Sequence, residues 1–408
     1  MKKTGVLLGS GLFGIIIGYA MGYLRIPWVA SDQAFWIGMI TGIAFVFLLT
    51  SWKNFRSEMS SGSDRKRSRG LLFVVGGGLF LLLMFQAQLT HRGNQLTSQQ
   101  LIVRKMEALN EAARQQEHGR MISSTLEAIS RRLASGSSFC EADIQDLQRL
   151  SDRCLPYYYL VEDSLSSRKL SPERAQLLVG ILALHLPDSL MIPTLEAVSF
   201  AYADLTDMTL EEQNLMGIDL RKASLERANL RNSKLRGADL REASLRYAIL
   251  DGVDLTKADA RRADMSWASL HVSTITEGNF DGITGPQMKL NDVIATKARF
   301  QYADLSGAFI EQSDMRMIDG ELTNFSEASF VQTTLQGSNL CRSRLEGALL
   351  DETILDSCSV ETEEWLTDLA RWNVIGHETI RNQLVIVPDT QKRYARSRLM
   401  LIRKSPLD

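Results

Sequence analysis

From residue 200 to residue 360, large apolar residues recur at every fifth position. Leu205, Leu210, Leu215, Leu220, Leu225, Leu230, Leu235, Leu240, Leu245, Leu250 and Leu255 follow without a break. The beat continues through Met265, Leu270, Ile275, Phe280, Leu290, Phe300, Leu305, Ile310, Met315, Phe325 and Phe330 to Leu355. Small residues stand two before most of them, as at Ala223, Ala228, Ala238, Ala243, Ala258 and Ala263. A helix turning about 100° per residue would scatter residues five apart over all its faces. A strand of period two would send successive ones to opposite sides. A chain that turns a corner every five residues buries them all. The small residue points in, the next out, the large one in, and two residues make the corner. Asp or Asn often precedes the large residue, as at Asp204, Asn214, Asp219, Asn229, Asp239, Asp254, Asp259 and Asp264. Short polar side chains of this kind bond nearby backbone in tight turns, a structural role.

The flanks carry other patterns. Three uncharged apolar stretches, Gly5–Leu24, Ala34–Trp52 and Leu71–Leu89, each match the length that crosses about 30 Å of hydrocarbon. They predict three transmembrane helices in residues 1–90, with the bilayer as partner. Lys2, Lys3 and the Ala20-Met21-Gly22 site make a cleaved signal peptide the other reading of the first stretch. Glycines every fourth residue (Gly14, Gly18, Gly22; Gly38, Gly42) suit close helix packing in lipid. The loop 53–69 holds Lys53, Arg56, Arg65, Lys66, Arg67 and Arg69 against Glu58 and Asp64. Positive loops stay inside, so the expected location is the cytoplasmic (inner) membrane, multi-pass, with everything after residue 90 outside the cytoplasm.

Residues 91–189 read as a helical stalk and adaptor. Ile102, Met106 and Leu109, then Ile122, Leu126, Ile129 and Leu133, keep three-four spacing with a break expected near Gly119. Such a stalk forms either a coiled coil between protomers, giving a homo-oligomer, or packs on its own protein. Ser171-Pro172-Glu173 is a helix start, with Ser as cap, Pro in the first turn and an acid at the positive end. Residues 361–408 read as a cap, with Trp365, Leu369 and Trp372 on one helix face as a lid. Strands are expected at Leu384–Val387 and Leu399–Ile402, joined by a solvated turn with Lys392, Arg393, Arg396 and Arg398.

Units such as Ala203-Asp204-Leu205-Thr206-Asp207 and Ala238-Asp239-Leu240-Arg241-Glu242 resemble the pentapeptide-repeat family. The resemblance covers 190–360 and implies a mainly β fold, a right-handed quadrilateral β-helix with four repeats per coil. At about 4.8 Å per stacked strand, eight such coils make a rod of roughly 38 Å. Ala260, Gly285-Pro286, Ala295 and Gly320 depart from the pattern, and local irregularity is expected at Gly285-Pro286. Some members of the family mimic DNA and protect topoisomerases, which is one functional expectation the resemblance carries.

Charge changes the picture only locally. Lys plus Arg number 46 against 48 Asp plus Glu over 408 residues. Residues 221–262 hold eleven basic and six acidic residues, net +5, and residues 301–360 three basic and ten acidic, net −7. At twenty residues per coil, Arg221, Arg241 and Arg261 stack in one column, and Arg227, Tyr247 and Trp267 in another. Like charges about 5 Å apart repel unless acids or an anionic partner compensate them, so these six are the candidate partner-binding residues. Glu226 and Glu242 are candidate internal compensators.

Little chemistry is offered. His91, His118, His185, His271 and His377 are scattered without ligand spacing, and no glycine-rich phosphate loop follows a strand. Cys140, Cys154, Cys341 and Cys358 form no CxxC pair. Cys140 and Cys154 are either a bridge or two thiols, according to compartment. Cys358 falls on an inward position and Cys341 on an outward one. The sequence therefore reads as a non-enzymatic module with no cofactor and no metal, presenting a rigid rod to an unidentified protein partner. Nucleic acid is disfavoured as a partner. A topoisomerase-protecting DNA mimic and an accessory factor of a cell-envelope enzyme are the alternatives.

Overall fold

The computed structural model describes residues 65–161, 164–390 and 399–404, residues 65–99 by their backbone alone. The chain divides into two compact units, Met1–Val103 and Arg104–Asp408. Helix α1 is Arg65–Ala134. The second unit continues with α2 (Glu141–Arg153), a hairpin of β1 (Leu160–Val161) and β2 (Ser164–Leu165), α3 (Pro172–Leu182) and α4 (Asp188–Ala197). The repeats follow, then β3 (Ser359–Val360), α5 (Trp365–Arg371), α6 (His377–Gln383), β4 (Leu384–Pro388) and β5 (Leu399–Arg403).

The repeat region is a coil of twenty residues per turn. Parallel bridges step from Ser199 to Asp219, Asp239 and Asp259 and on to Ser359, and three further series run alongside for the other sides. Most corners are turns closed by a backbone hydrogen bond, such as Ala223 N–H to Leu220 C=O at 3.0 Å and Ala228 N–H to Leu225 C=O at 3.1 Å. The second corner residue has positive φ throughout, from Tyr202 (63°) through Trp267 (63°) to Ser357 (62°). Positive φ there is the signature of a type II turn. The inward large and small residues are buried together, Phe200, Leu205, Ala223 and Leu225 among them.

The polar minority inside is satisfied in a regular way. Ser273 donates to the Leu250 carbonyl of the preceding coil at 2.7 Å and accepts the Val253 N–H at 3.3 Å. Ser313 does the same with Leu290 (2.5 Å) and Val293 (3.0 Å), and Ser338 with Met315 (2.9 Å) and Ile318 (3.1 Å). Ser and Thr are tolerated at the small inward position because the hydroxyl finds a carbonyl, either of the coil before, as in these three, or of its own corner, as Ser343 does with Leu340 at 2.8 Å.

The irregularity expected at Gly285-Pro286 does not occur. The turn closes through Met288 N–H to Gly285 C=O at 3.3 Å, and the neighbouring coils stay in register on both sides. The first corner residue makes no ladder bond from its N–H, so proline there sacrifices nothing and supplies the φ a type II turn wants. A Cβ on Gly285 would lie 2.3 Å from Met288 Sδ. Methionine at the small position thus fills the space that glycine vacates at the large one.

Both ends of the coil are covered. At the start, α3 is capped by Ser171, whose hydroxyl accepts the Arg174 N–H at 3.3 Å, with Pro172 in the first turn. Arg174 reaches the Ser151 carbonyl at 3.2 Å and the Ala201 carbonyl at 2.5 Å, joining α2, α3 and the first coil. Tyr159 donates to Asp204, and Arg168 to the Ala223 carbonyl at 3.0 Å, so the β1–β2 segment clips onto the first two coils. At the other end Ser359 of the last coil pairs with Met400 of β5, and β5 pairs with β4. One side of the coil therefore runs on into a small antiparallel sheet, whose outer strand ends at Pro388, which blunts the edge. Trp365 and Leu369 of α5 are buried, with Trp372 packed beside them. The stretch 391–398, with Lys392, Arg393, Arg396 and Arg398, lies outside the described residues.

Three further expectations are corrected. No helix among the described residues is long and apolar enough to cross a membrane. That overturns the anchor of three transmembrane helices, the multi-pass location in the cytoplasmic membrane and the orientation drawn from them. Gly5–Leu24 and Ala34–Trp52 lie outside the described residues, and Leu71–Leu89 is no separate element but part of the 70-residue α1. Second, α1 does not break at Gly119. It runs through it, and the bare Cα leaves room for Gln176, whose Oε1 lies 3.1 Å from where a Cβ would stand. Third, Cys341 is buried although its position is an outward one. Of the stalk seam, Ile122 and Ile129 are buried in the core with Leu126 and Leu133 packed against it, whereas Ile102, Met106 and Leu109 are exposed.

Candidate interaction surface

Corner residues carry the outward chemistry, since inward positions are filled and the ladder fixes each Cα. The first column is built by parallel bridging of Asp219, Asp239 and Asp259. Two residues on from each aspartate stands an arginine. Asp219 Oδ1 accepts the Arg221 backbone N–H at 3.2 Å, and the same carboxylate takes Arg221 Nε at 2.7 Å and Nη2 at 2.9 Å. Arg241 on Asp239 (2.8 and 2.6 Å) and Arg261 on Asp259 (2.9 and 2.6 Å) repeat the arrangement. Each aspartate thus does two jobs, closing the turn and binding the guanidinium bidentately. Across coils, Arg221 Nε lies 3.5 Å from Asp239 and Arg241 Nε 3.7 Å from Asp259. The column is an alternating ladder of charge.

The electrostatics follow the geometry. Burial opposes ionisation of Asp219, but hydrogen bonds from Arg221 and Ser199 overcome it and hold the carboxyl below its usual range. For Asp259, burial is likewise outweighed by Arg261. Arg221, Arg241 and Arg261 are each held more firmly protonated by the hydrogen bond to their own aspartate. The arginine stack is therefore neutralised by Asp219, Asp239 and Asp259. Of the compensators expected from the sequence, Glu242 sits 3.6 Å from Lys222 and Glu226 accepts from Ser244 at 2.9 Å. The signal for the true partners was present as Asp-Leu-Arg at 219–221 and 239–241 and Asp-Ala-Arg at 259–261. Arg316 on Asp314 is a fourth case, at 2.7 and 2.5 Å.

The second column occupies a different corner. Arg227 is clamped bidentately by Asp207 of the preceding coil, both bonds at 2.6 Å. One and two coils on, the Tyr247 and Trp267 rings stack with centroids 6.2 Å apart and 16° between planes. The Arg246 guanidinium lies 5.9 Å from the centre of the Tyr247 ring. Tyr247 is 49% and Trp267 52% exposed, so about half of each ring remains open to a partner. The structure brings together the members of each column and keeps the two columns on separate corners.

Candidate reactive groups are dispersed. Among the described residues no group of His, Cys, Asp and Glu could hold a metal ion. The cysteines are free thiols, Cys140 exposed and the other three buried. Burial, with Glu173 nearby, pushes Cys154 up to about 11, and burial pushes Cys341 and Cys358 up to about 12. Thiols held protonated in this way are poor nucleophiles.

The match to a family model agrees with this geometry. Pentapeptide repeats, eight copies, are recognised over residues 199–237, 238–271 and 322–359. The chain carries a pentapeptide-repeat domain. Among solved structures it is similar to HetL, a pentapeptide-repeat protein involved in heterocyst differentiation regulation from the cyanobacterium Nostoc sp. strain PCC 7120. The identity is 24%, covering 40% of this chain and 83% of that one, with a TM-score of 0.27. It is also similar to the plasmid-mediated fluoroquinolone resistance protein QnrB1, at 14% identity over 37% of this chain and 76% of that one, TM-score 0.20. A pentapeptide-repeat protein of the Arabidopsis thaliana thylakoid lumen shares 22% identity over 36% of this chain and 68% of that one, TM-score 0.13. No curated protein sequence matches the chain.

Proposed function

We propose that the chain is a non-enzymatic protein-interaction module whose coils hold a fixed array of side chains against a protein partner. The observation that carries this reading is the Tyr247–Trp267 stack. Two large rings stand half exposed on a corner, where the packing of the coil has no use for them. Tyr, Trp and Arg are the residue types that dominate binding energy at protein interfaces. Here Arg227 is already fixed by Asp207, and the rings are fixed by each other, so little side-chain freedom is lost on binding.

DNA mimicry ranks lower. A mimic needs an uninterrupted row of free carboxylates, whereas Asp219, Asp239 and Asp259 are each occupied by an arginine. The role beside a cell-envelope enzyme rested on the membrane location and goes with it. The test is affinity capture from host lysate with the full-length protein and with a Tyr247→Ser/Trp267→Ser double variant of equal melting temperature. The expected result is a saturable protein partner held by the parent and lost by the variant. Equal retention by both contradicts the reading.

A further inference from the structure

We propose that the cleft at Gly282 is a docking pocket for a single carboxylate side chain carried by a protein partner. It rests on the interaction reading above and specifies the chemistry of one contact. The corner column Lys222, Glu242, Arg262, Gly282, Tyr302 loses its side chain at Gly282, and a cleft of about 480 Å³ opens there. Its walls include Arg241, Arg261, Arg262, Asp281 and Tyr302. A Cβ on Gly282 would meet only Arg262 Cγ, at 3.7 Å, so the space beside the glycine is open. Arg262 and Tyr302 are two coils apart, roughly 10 Å at the spacing of stacked strands, enough for one inserted side chain.

The two flanking residues differ from their neighbours. Arg241 and Arg261 are each bound to their own aspartates, as described above. Arg262 makes no ion pair and no side-chain hydrogen bond among the described residues. Its guanidinium is therefore available to a carboxylate, with the fork geometry that suits one. Tyr302 is 64% exposed and offers an apolar face across the cleft from that cation. Aspartate and glutamate also line the cleft, at Asp281 and Glu242. Asp281 is itself held by Arg299 at 2.7 Å, and Glu242 lies 3.6 Å from Lys222. Among the described residues Arg262 is thus the cation of the cleft without an acid, matched by one carboxylate and not by a polyanion with a charge every few ångströms. The lining thus selects an isolated Glu or Asp of a protein segment over a nucleic-acid backbone.

The test uses the full-length protein and two fluorescein-labelled peptides, Gly-Ser-Phe-Glu-Ser-Gly and its counterpart with Gln for Glu, read by fluorescence polarisation. The Glu peptide is expected to saturate and to bind about fivefold more tightly than the Gln peptide. Arg262→Glu and Gly282→Gln are each expected to erase that preference. Gly282→Gln keeps the corner intact, because Gln287, Gln312 and Gln332 already hold the same backbone at φ 59°, 55° and 56°. Arg344→Glu, remote from the cleft, is expected to leave the preference unchanged. The proposal is overturned if neither peptide saturates, if both bind alike, or if the two cleft variants bind as the parent does. It is also overturned if a six-residue oligothymidylate binds more tightly with the same dependence on Arg262. A partner captured through Tyr247 and Trp267 and indifferent to Arg262→Glu removes this contact while the interaction reading stands.

Discussion

Arg241 donates from Nε and Nη2 to the two carboxylate oxygens of Asp239, two residues earlier in its own turn, while Asp259 of the next coil lies 3.7 Å from the same Nε. One side chain thus serves its own corner and the joint between coils. Asp239→Ala removes that clamp and also the acceptor of the Arg241 backbone N–H at 3.2 Å. The expected loss is about 1 kcal/mol by urea unfolding, since the ion pair is partly exposed and the turn bond adds to it. In 1 M salt the loss should shrink without vanishing, because the turn bond is not screened. Parent-like stability at both salt concentrations contradicts the double role.

Gly285 and Met288 exchange the sizes that the five-residue rhythm assigns to their positions. Gly285→Leu restores the rhythm yet drives atoms into Met288, so it should destabilise by about 1–3 kcal/mol. Paired with Met288→Ala, much of that loss should be recovered, giving a coupling of about 1 kcal/mol or more in a double-mutant cycle. Additive losses would mean that the methionine does not occupy the glycine's space.

Val272 holds a β-branched side chain at φ 54° with 60% of its surface exposed. The left-handed conformation costs an L-residue about 1–2 kcal/mol, and burial recovers almost none of it here. Val272→Gly should therefore stabilise by about 1 kcal/mol, raising the melting temperature by roughly 2 °C. A lower melting temperature would show that the valine makes a contact worth more than its strain.

Acid should unfold the coil late. The Arg227 hydrogen bond holds Asp207 below 3.8, and the Arg316 bond does the same for Asp314. In Asp219, Asp251 and Asp259 burial works against ionisation and the bonds to Arg and Ser partners or backbone prevail. A depressed carboxyl contributes stability above its unfolded value and loses it as pH falls through the folded one. Asp319 runs the other way, since burial raises it and it gains stability as pH falls through its folded value. The urea midpoint should hold steady from pH 7 to about pH 4 and drop steeply below 3.8. A steep drop beginning above pH 5 contradicts the assignment.

The coil itself was readable because its rule is local: Leu205, Leu210 and their successors specify inward positions with no reference to distant contacts. Corner conformations were readable too, since Asp204 and Asp219 mark where the backbone turns. What escaped were relations across that rule. Pro286 looked like a break because the rhythm does not reveal which N–H the ladder leaves unused. Nor does the rhythm reveal that Met288 fills the space beside Gly285. The arginine columns looked like repulsion because Asp219, Asp239 and Asp259 had been read as turn residues alone, and a carboxylate with two oxygens can do both. The membrane anchor was inferred from the length of apolar runs, and for Leu71–Leu89 that length did not delimit an element, since α1 continues to Ala134.

The central claim is that a corner of the coil meets a protein partner at its stacked rings. Replacing Trp267 in the full-length chain with a photoreactive benzoylphenylalanine and irradiating in the native host tests this most directly. The same replacement at Val272, on another corner, serves as the control. The account predicts one discrete cross-linked protein from position 267, absent from position 272 and lost when Tyr247 becomes Ser. Equal labelling from both corners, or no discrete product from position 267, contradicts it.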